Sequence, residues 1–586
     1  MSTQLITNYF RVHALNQFRE SINETANSVY YVFAARHTPY VSGDDVIEDL
    51  TNDVNGAFYN PHQEMVFGKR VGASDVMPLT KRYNWTQNTV YAAYRDNIDL
   101  SEKAYYVCVN ASSSYHIFKC LDNNGNTPST VTPNVSQTSP NDAFYSTSDG
   151  YVWKYMYSFD STTFNKFATA DYMPVTSNTL VTGNAVSGAI DVITVDYKGS
   201  DYNTYLSNTF NSTDLRVGGS AVKYSIDTSA SSTAGFYVGS FLYIKSGTGS
   251  GQGRRIVGYT VVGATKTVEI ASAFSVNPDI TSVYEITPSV VITGDGSNAV
   301  ARALVNTSSS NSIYQVEVIE RGYGYTYASA AVAGNTSGVQ NSAVLSITLG
   351  PKGGHGANPE YELGARYLCF SVDFANNENG TIPIANKYRS VGIIKDPLFS
   401  NVTLTLGSVT GSFDVGEIVT QACTSAVGYV TDFTAGELTL TNVAGVFNLA
   451  NVVTGAGSSA VGNVTALEIN GDVKSFDTFD QRYRYTFTPV SGTFTQNETV
   501  YQTDPQITNA VFHSNTSGNV YLTHVKGVLN TSNTIIGTNS GAVGTLLYAY
   551  KPDLVVGSGE VIYMENENPI TRSQTQKETI KIILKF

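Results

Sequence analysis

GSGEVIYMENENPITRSQTQKETIKIILKF, residues 557–586, holds two β patterns separated by a polar stretch. Val561-Ile562-Tyr563 is a short β-rich run, and Glu565, Asn566, Asn568 and Pro569 are expected to end it. From Thr579 to Phe586 the pattern alternates, with Ile580, Ile582 and Leu584 on one face and Lys581, Ile583 and Lys585 on the other. A terminal segment of this kind is ordered only when docked. It is therefore expected to close a sheet begun far earlier in the chain.

Working outward, the composition agrees with a β protein. The chain has 586 residues, enough for about three or four domains. Charged residues make up only 14%, with 50 glycines and 39 tyrosines, and Ser, Thr and Asn are abundant. Helical bundles need more Leu, Glu, Lys and Ala, so turn-rich β-sandwiches are favoured. With 41% hydrophobic residues the chain can bury a core and is not of disordered composition. The net charge of −13, with no basic run longer than a pair, excludes a nucleic-acid or anionic-membrane surface. No apolar run reaches the ~18 residues of a membrane span, and MSTQLITNYF has no signal-peptide pattern. A soluble product of the cytoplasm is expected. Cys108, Cys120, Cys369 and Cys423 form no C-x-x-C and no disulfide scaffold. Cys108 and Cys120 can face each other across a hairpin, but buried free thiols are expected.

Taken in order, Tyr9–Glu24 places Phe10, Ala14, Leu15, Phe18 and Ile22 on one helical face. Val29 to Ala34 is a buried-strand run, and Pro39 to Val76 reads as loop. Asp44, Asp45, Glu48 and Asp49 crowd that loop, but without the alternating spacing and central glycine of a calcium loop they read as a solvated helix or turn. Regular strands follow in AYYVCVN, YHIFKCLD and SDGYVWKYMYSF. In the last, Tyr151, Trp153, Tyr155 and Tyr157 share one face, as a core or interface stripe or, alternatively, a stacking platform for sugars or bases. Tyr367 to Phe374 and Val391 to Ile394 are further strands, the second ended by Asp396-Pro397.

Two internal repeats stand out. Ile193–Tyr205 parallels Val316–Tyr327, aligning Gly199 with Gly322 and Tyr202 with Tyr325. The second repeat aligns Gly411, Phe413, Glu417 and Val419 with Gly492, Phe494, Glu498 and Val500, and then Gly445, Gly455 and Gly462 with Gly527, Gly537 and Gly544. Glycines matched in a β pattern mark turns, so 402–467 and 485–550 are two copies of one small β-module. The glycines of Gly247–Gly253 resemble a phosphate-binding loop, but strand rather than helix follows, which makes them a hairpin turn. GPKGGHGANPE around His355 fails the same test.

No catalytic constellation emerges. His13, His37, His62, His116, His355, His513 and His524 show no zinc spacing, and there is no G-x-S-x-G elbow. Glu360, Glu362 and Asp373 are candidates for a glycosidase pair only as acids near aromatics. No enzyme, cofactor or metal site is expected.

TKRYNWTQNTVY, HIFKCLDNNG, SDGYVWKYMYSF, ANKYRSVGIIKDPL and EVIYMENENPI resemble, in that order, segments of the baseplate wedge subunit of T4-like contractile-tail phages. The likeness covers residues 1 to about 190, 355–399 and 551–586. It implies a layered antiparallel β-sandwich core with few helices. The core would comprise 1–194, 355–399 and 551–586, interrupted by a β-repeat insertion at 195–354 and a second at 400–550. It further implies a virion protein that joins peripheral to inner wedge proteins, forms a homodimer and moves when the tail contracts. The alternative is a tail adhesin whose Tyr- and Asn-rich insertions bind host-surface glycans.

Overall fold

The structure, a computed structural model, describes residues 5–24, 28–137, 144–210, 216–333, 339–378, 382–384, 386–444, 446–472, 477–504, 506–516, 518–573 and 575–586. The protein is mainly β, built of antiparallel sheets, sandwiches and small barrels with a few short helices. Two compact units divide it: Met1–His13 with Pro78–Tyr367 and Phe586, and Ala14–Met77 with Leu368–Lys585. This boundary runs through the expected core segments 1–194 and 355–399.

The second unit is organised on one sheet assembled from distant pieces. Its strands, in spatial order, are Thr478–Asp480, Met65–Arg70, Tyr30–Ala35, Lys387–Lys395 and Glu560–Thr571. Tyr30–Ala35 is buried at every position, as a central strand covered on both faces must be. Tyr31, Phe33, Met65, Ile394, Phe399, Phe479 and Leu554 form the core against it. Met65–Arg70 falls inside the stretch read as loop. Its apolar run is only three residues long, and Gly68 breaks it because the Phe479 ring occupies the space a Cβ would fill, 2.4 Å away. Glu560–Thr571 also corrects the reading: the strand runs through Glu565, Asn566, Asn568 and Pro569 instead of ending there. A register shift opposite Tyr388–Ser390 and the strand's place at the sheet edge accommodate them. The closing strand Lys577–Lys585 lies beside Tyr367–Ala375, with Ile580 and Ile582 buried and Leu584 half-buried.

Both copies of the second repeat are closed six-stranded barrels with the same order, 1-4-3-2-5-6. The first comprises Phe399–Thr410, Ile418–Gln421, Ala426–Thr434, Glu437–Ala444, Val452–Gly455 and Val461–Asp472. The second comprises Tyr483–Ser491, Thr499–Tyr501, Asn509–Thr516, Asn519–Lys526, Thr534–Gly537 and Val543–Tyr550. The chain passes from sheet strand Lys387–Lys395 into the first barrel, returns through sheet strand Thr478–Asp480, enters the second, and returns as Glu560–Thr571. Each barrel's first and last strands pair, so its ends are adjacent: Phe399 faces Asp472, and Arg484 faces Tyr550.

One glutamate locks each barrel. Glu417 accepts from the Asp414, Gly457 and Ser458 amides and the Ser458 hydroxyl at 2.6–2.8 Å. Glu498 repeats this with the Thr495, Asn539 and Ser540 amides and the Ser540 hydroxyl at 2.5–3.0 Å. Gly455 and Gly537 are fixed by these carboxylates, since a Cβ would lie 2.5 Å and 2.7 Å from their oxygens. Of the matched glycines, Gly445 lies outside the described residues.

In the first unit, Tyr106–Ala111, Ser114–Asp122, Val152–Asp160 and Tyr145–Ser146 form a four-stranded sheet covered on both faces. Here the expected aromatic stripe is divided. Ile117 pairs with Tyr157 but Phe118 pairs with Tyr155, so Met156 is an extra residue in a bulge. Tyr151, Trp153 and Tyr155 pack into one core and Tyr157 into the other, all buried. Cys108 and Cys120 are free, buried and likewise on opposite faces. Further on, a six-stranded module, Leu206–Thr209 to Val283–Thr287, is nested inside another. The outer module joins Ile190–Tyr197, Val344–Leu349 and the sheet Ser289–Ala333 around one core containing Tyr202 and Tyr325. Gly199 and Gly322 have matching φ of 62° and 63°, and at each a Cβ would lie within 2.6 Å of a facing carbonyl oxygen. Only glycine meets both demands.

The helix forms at Asn8–Asn23, close to its expected span, but its buried residues are Val12, Leu15 and Ile22. Phe18 is half-buried and Phe10 is exposed, so the apolar stripe is rotated from the expected face.

Candidate functional site

The densest group of chemically capable side chains is enclosed in the first unit. Lys119, buried on the sheet strand Ser114–Asp122, donates from Nζ to Glu362 Oε2 and to His355 Nδ1, each at 2.9 Å. Its ammonium also sits 4.0 Å from the centre of the Tyr94 ring. Glu362 Oε1 accepts from the Gly356 and Asn358 amides at 2.8 and 3.2 Å. Asp191 is paired with Arg321, and its Oδ2 lies 3.8 Å from His355 Nε2. Lys154 is buried nearby, its Nζ 5.2 Å from the Phe144 ring centre.

The local sequence explains the arrangement. Gly354 and Gly356 take φ of 96° and 91°, and a Cβ on either would run into Val186 O or Val181 Cγ1. The loop around His355 therefore lies flat against its neighbours, and the short helix Pro359–Glu362, capped by Asn358, turns Glu362 back toward Lys119. Burial depresses the Lys119 ammonium's pKa, with Glu362 acting against that shift. Burial also drives His355 well below its usual range, with Lys119 adding to it, so the imidazole is neutral and accepts the lysine's proton donor. Burial raises Asp191, while Arg321 opposes it.

In this cluster Lys119 and Glu362 hold one another and their loop. Of the acids singled out from sequence, Glu362 belongs to it and Glu360 is half-buried on the same helix. Asp373 lies in the other unit, bound to Lys577 and Thr579. The loop acids are divided: Asp44 pairs with Arg389 and Glu48 with Arg36.

A second cluster, not legible in the histidine spacing, joins the second barrel to the central sheet of its unit. His37, just beyond the Tyr30–Ala35 strand, contacts Asn497 Oδ1 at 2.8 Å and Thr523 Oγ1 at 2.5 Å. Its ring centre is 4.9 Å from that of His513 and 6.0 Å from that of His524. Arg482 donates to His513 Nδ1, and His513 Nε2 is buried without a hydrogen-bond partner. Burial lowers His37 to about 4 and holds His513 and His524 below their ordinary values as well.

Two cavities lie in the first unit. One, of about 190 Å³, is lined by Thr80, Tyr94, Tyr105, Glu362 and Arg366 among others. The other, of about 520 Å³, is lined by Phe241, Arg255, Val291, Val300 and Glu320 among others. Among the described residues no group of three or more His, Cys, Asp or Glu is placed to hold a metal, and no helix is long and apolar enough to cross a membrane. No protein-family model matches the chain, and no curated protein sequence does.

Proposed function

We propose that this chain is a structural component of a contractile phage tail, a baseplate wedge subunit that links peripheral to inner wedge proteins and shifts with them on contraction. The observation that carries this reading is the plan of the second unit. A single sheet is gathered from segments hundreds of residues apart, and two copies of one closed barrel are inserted between its strands with adjacent ends. That is the plan of a frame carrying accessory modules. The segments that resemble the wedge family supply frame strands, among them Lys387–Lys395 and Glu560–Thr571. Within the first unit the buried Lys119–Glu362 pair acts as an internal lock, since breaking a buried pair leaves an uncompensated charge.

A glycan-binding adhesin is the second reading, favoured by Tyr197, Tyr314, Tyr323 and Tyr327, all about half exposed or more on the outer module of the first unit. The two are separated by presenting the purified chain both to the other structural proteins of the tail and to arrayed host-surface glycans. The wedge reading expects a stable complex with tail proteins and no glycan retained; glycan binding without tail-protein binding overturns it.

A further inference from the structure

The segment Val41–Tyr59, VSGDDVIEDLTNDVNGAFY, is folded the wrong way out for a free surface. Val41, Val46, Ile47, Leu50, Val54, Phe58 and Tyr59 are each between 37% and 94% exposed. The turn Asn55–Tyr59 is helical yet buries none of its residues. Short helices ordinarily owe their stability to an apolar face packed on something; here Phe58 rests one ring edge on His62, at 4.5 Å between centres, and the other apolar side chains of the segment stay exposed.

The segment is nevertheless well anchored behind. Tyr40 Oη donates to the Arg389 and Glu567 carbonyls at 2.8 Å. Asp44 grips Arg389 at 2.6 and 2.7 Å. Glu48 binds Arg36 and the Val41 amide, and Asn566 donates to the Glu48 carbonyl at 2.8 Å. The segment is thus held against the edge strand Glu560–Thr571 while its apolar side chains face away. An exposed apolar patch fixed in this manner marks an interaction surface.

Charge narrows the occupant. The segment has five acids, Asp44, Asp45, Glu48, Asp49 and Asp53, and no Lys or Arg. Arg36 and Arg389 are already taken by Glu48 and Asp44, and Asp53 caps the Gly56 amide. Asp45 and Asp49 have no partner among the described residues, and Glu565 and Glu567 on the neighbouring strand add to the rim. A second copy meeting this face symmetrically would set these acids against themselves, and like charges across an interface repel.

We propose that Val41–Tyr59, together with the adjoining sheet edge, is the docking surface for a different protein, one with an apolar centre rimmed by Lys and Arg. The inference deepens the wedge reading by naming the surface and chemistry of the neighbour, and its test distinguishes the two. Benzoylphenylalanine is placed at Val46 and, separately, at Val54 of the full chain in the cells that assemble it, and the photoadducts are mapped to peptides. The result expected is a heterologous adduct at Lys- or Arg-bearing peptides. Its yield should fall about tenfold in D45K/D49K, and in V46S/V54S the complex should weaken while the melting temperature is unchanged. No adduct at either position, an adduct only to a second copy, or one indifferent to the charge reversal overturns the proposal. An adduct that meets the charge test but comes from a protein outside the tail supports the docking surface and removes the wedge reading.

Discussion

The two barrels have one fold and two kinds of attachment. Their strand order, their Glu417 and Glu498 locks, and the glutamines Gln421 and Gln502 that bridge to Asn448 and Asn530 in identical fashion all correspond. What differs is the outer surface. The second barrel presents Asn497, His513, Thr523 and His524 to His37 of the sheet. The first has Thr431 and Asn442 where the histidines would fall, 82 residues earlier. The residues that preserve the fold are thus the acids, amides and glycines bonded within each barrel, and the residues that decide docking are a separate set, free to change.

The largest effect should come from the cores. Leu440 and Leu522 are equivalent and fully buried, and replacing either by Ala should cost about 2–5 kcal/mol. If the barrels are independent copies, hydrogen exchange will quicken in the mutated barrel alone; quickening in both would break the comparison.

The next effect is expected on acidification, and only in the second barrel. His37 has an ordinary value of 6.5 and a folded value of about 4, so below pH 6.5 the unfolded state takes up the proton first. Stability contributed by its neutral form is therefore complete above 6.5, falls as pH drops toward 4, and levels beyond. The loss is on the order of 3 kcal/mol for this group. His513 and His524 shift the same way. The charges around them are Lys526, Arg36, Arg389 and Arg482, which add to the penalty, and the acids Asp44, Glu48 and Asp480, each committed to one of those arginines. Asp553, at the base of the barrel, is raised to about 7 by burial and acts oppositely, gaining stability as pH falls through 7. The three histidines act in one direction and Asp553 in the other. Exchange in Asn509–Lys526 should accelerate between pH 6.5 and 4 while Ala426–Ala444 stays unchanged, and H513F should flatten the response.

Smaller still are the locks. Glu498 is buried and Glu417 partly exposed, so E498A should cost more than E417A within about 1.5–3 kcal/mol, measured by denaturant unfolding. Q421A and Q502A should each cost about 0.5–1.5 kcal/mol, nearly equal in the two copies.

The repeat was legible because its glycines recur at fixed spacing, Gly411 and Gly492 for a positive φ and Gly455, Gly462, Gly537 and Gly544 for a side chain packed where a Cβ would be. The last strand, Lys577–Lys585, and the glycine-rich hairpin were legible from local pattern alone. Strand Met65–Arg70 was not, since its membership depends on Phe479, more than 400 residues away in sequence. Nor was the bulge at Met156, because perfect alternation in the sequence does not reveal one extra residue in the pairing. Glu362 could be named as an acid near aromatics, but Lys119, His355 and Asp191 reach it only through tertiary contacts. The same holds for His37 and His513, whose partnership no spacing rule encodes.

The frame-and-module account is tested most directly by excision. Residues 400–471 can be replaced by a short linker, since Phe399 and Asp472 are paired neighbours, and hydrogen exchange then measured across the remaining chain. The account predicts that Tyr30–Ala35 and Lys387–Lys395 keep their full protection without the first barrel. Loss of protection in those two strands would contradict it, making the barrel part of the frame.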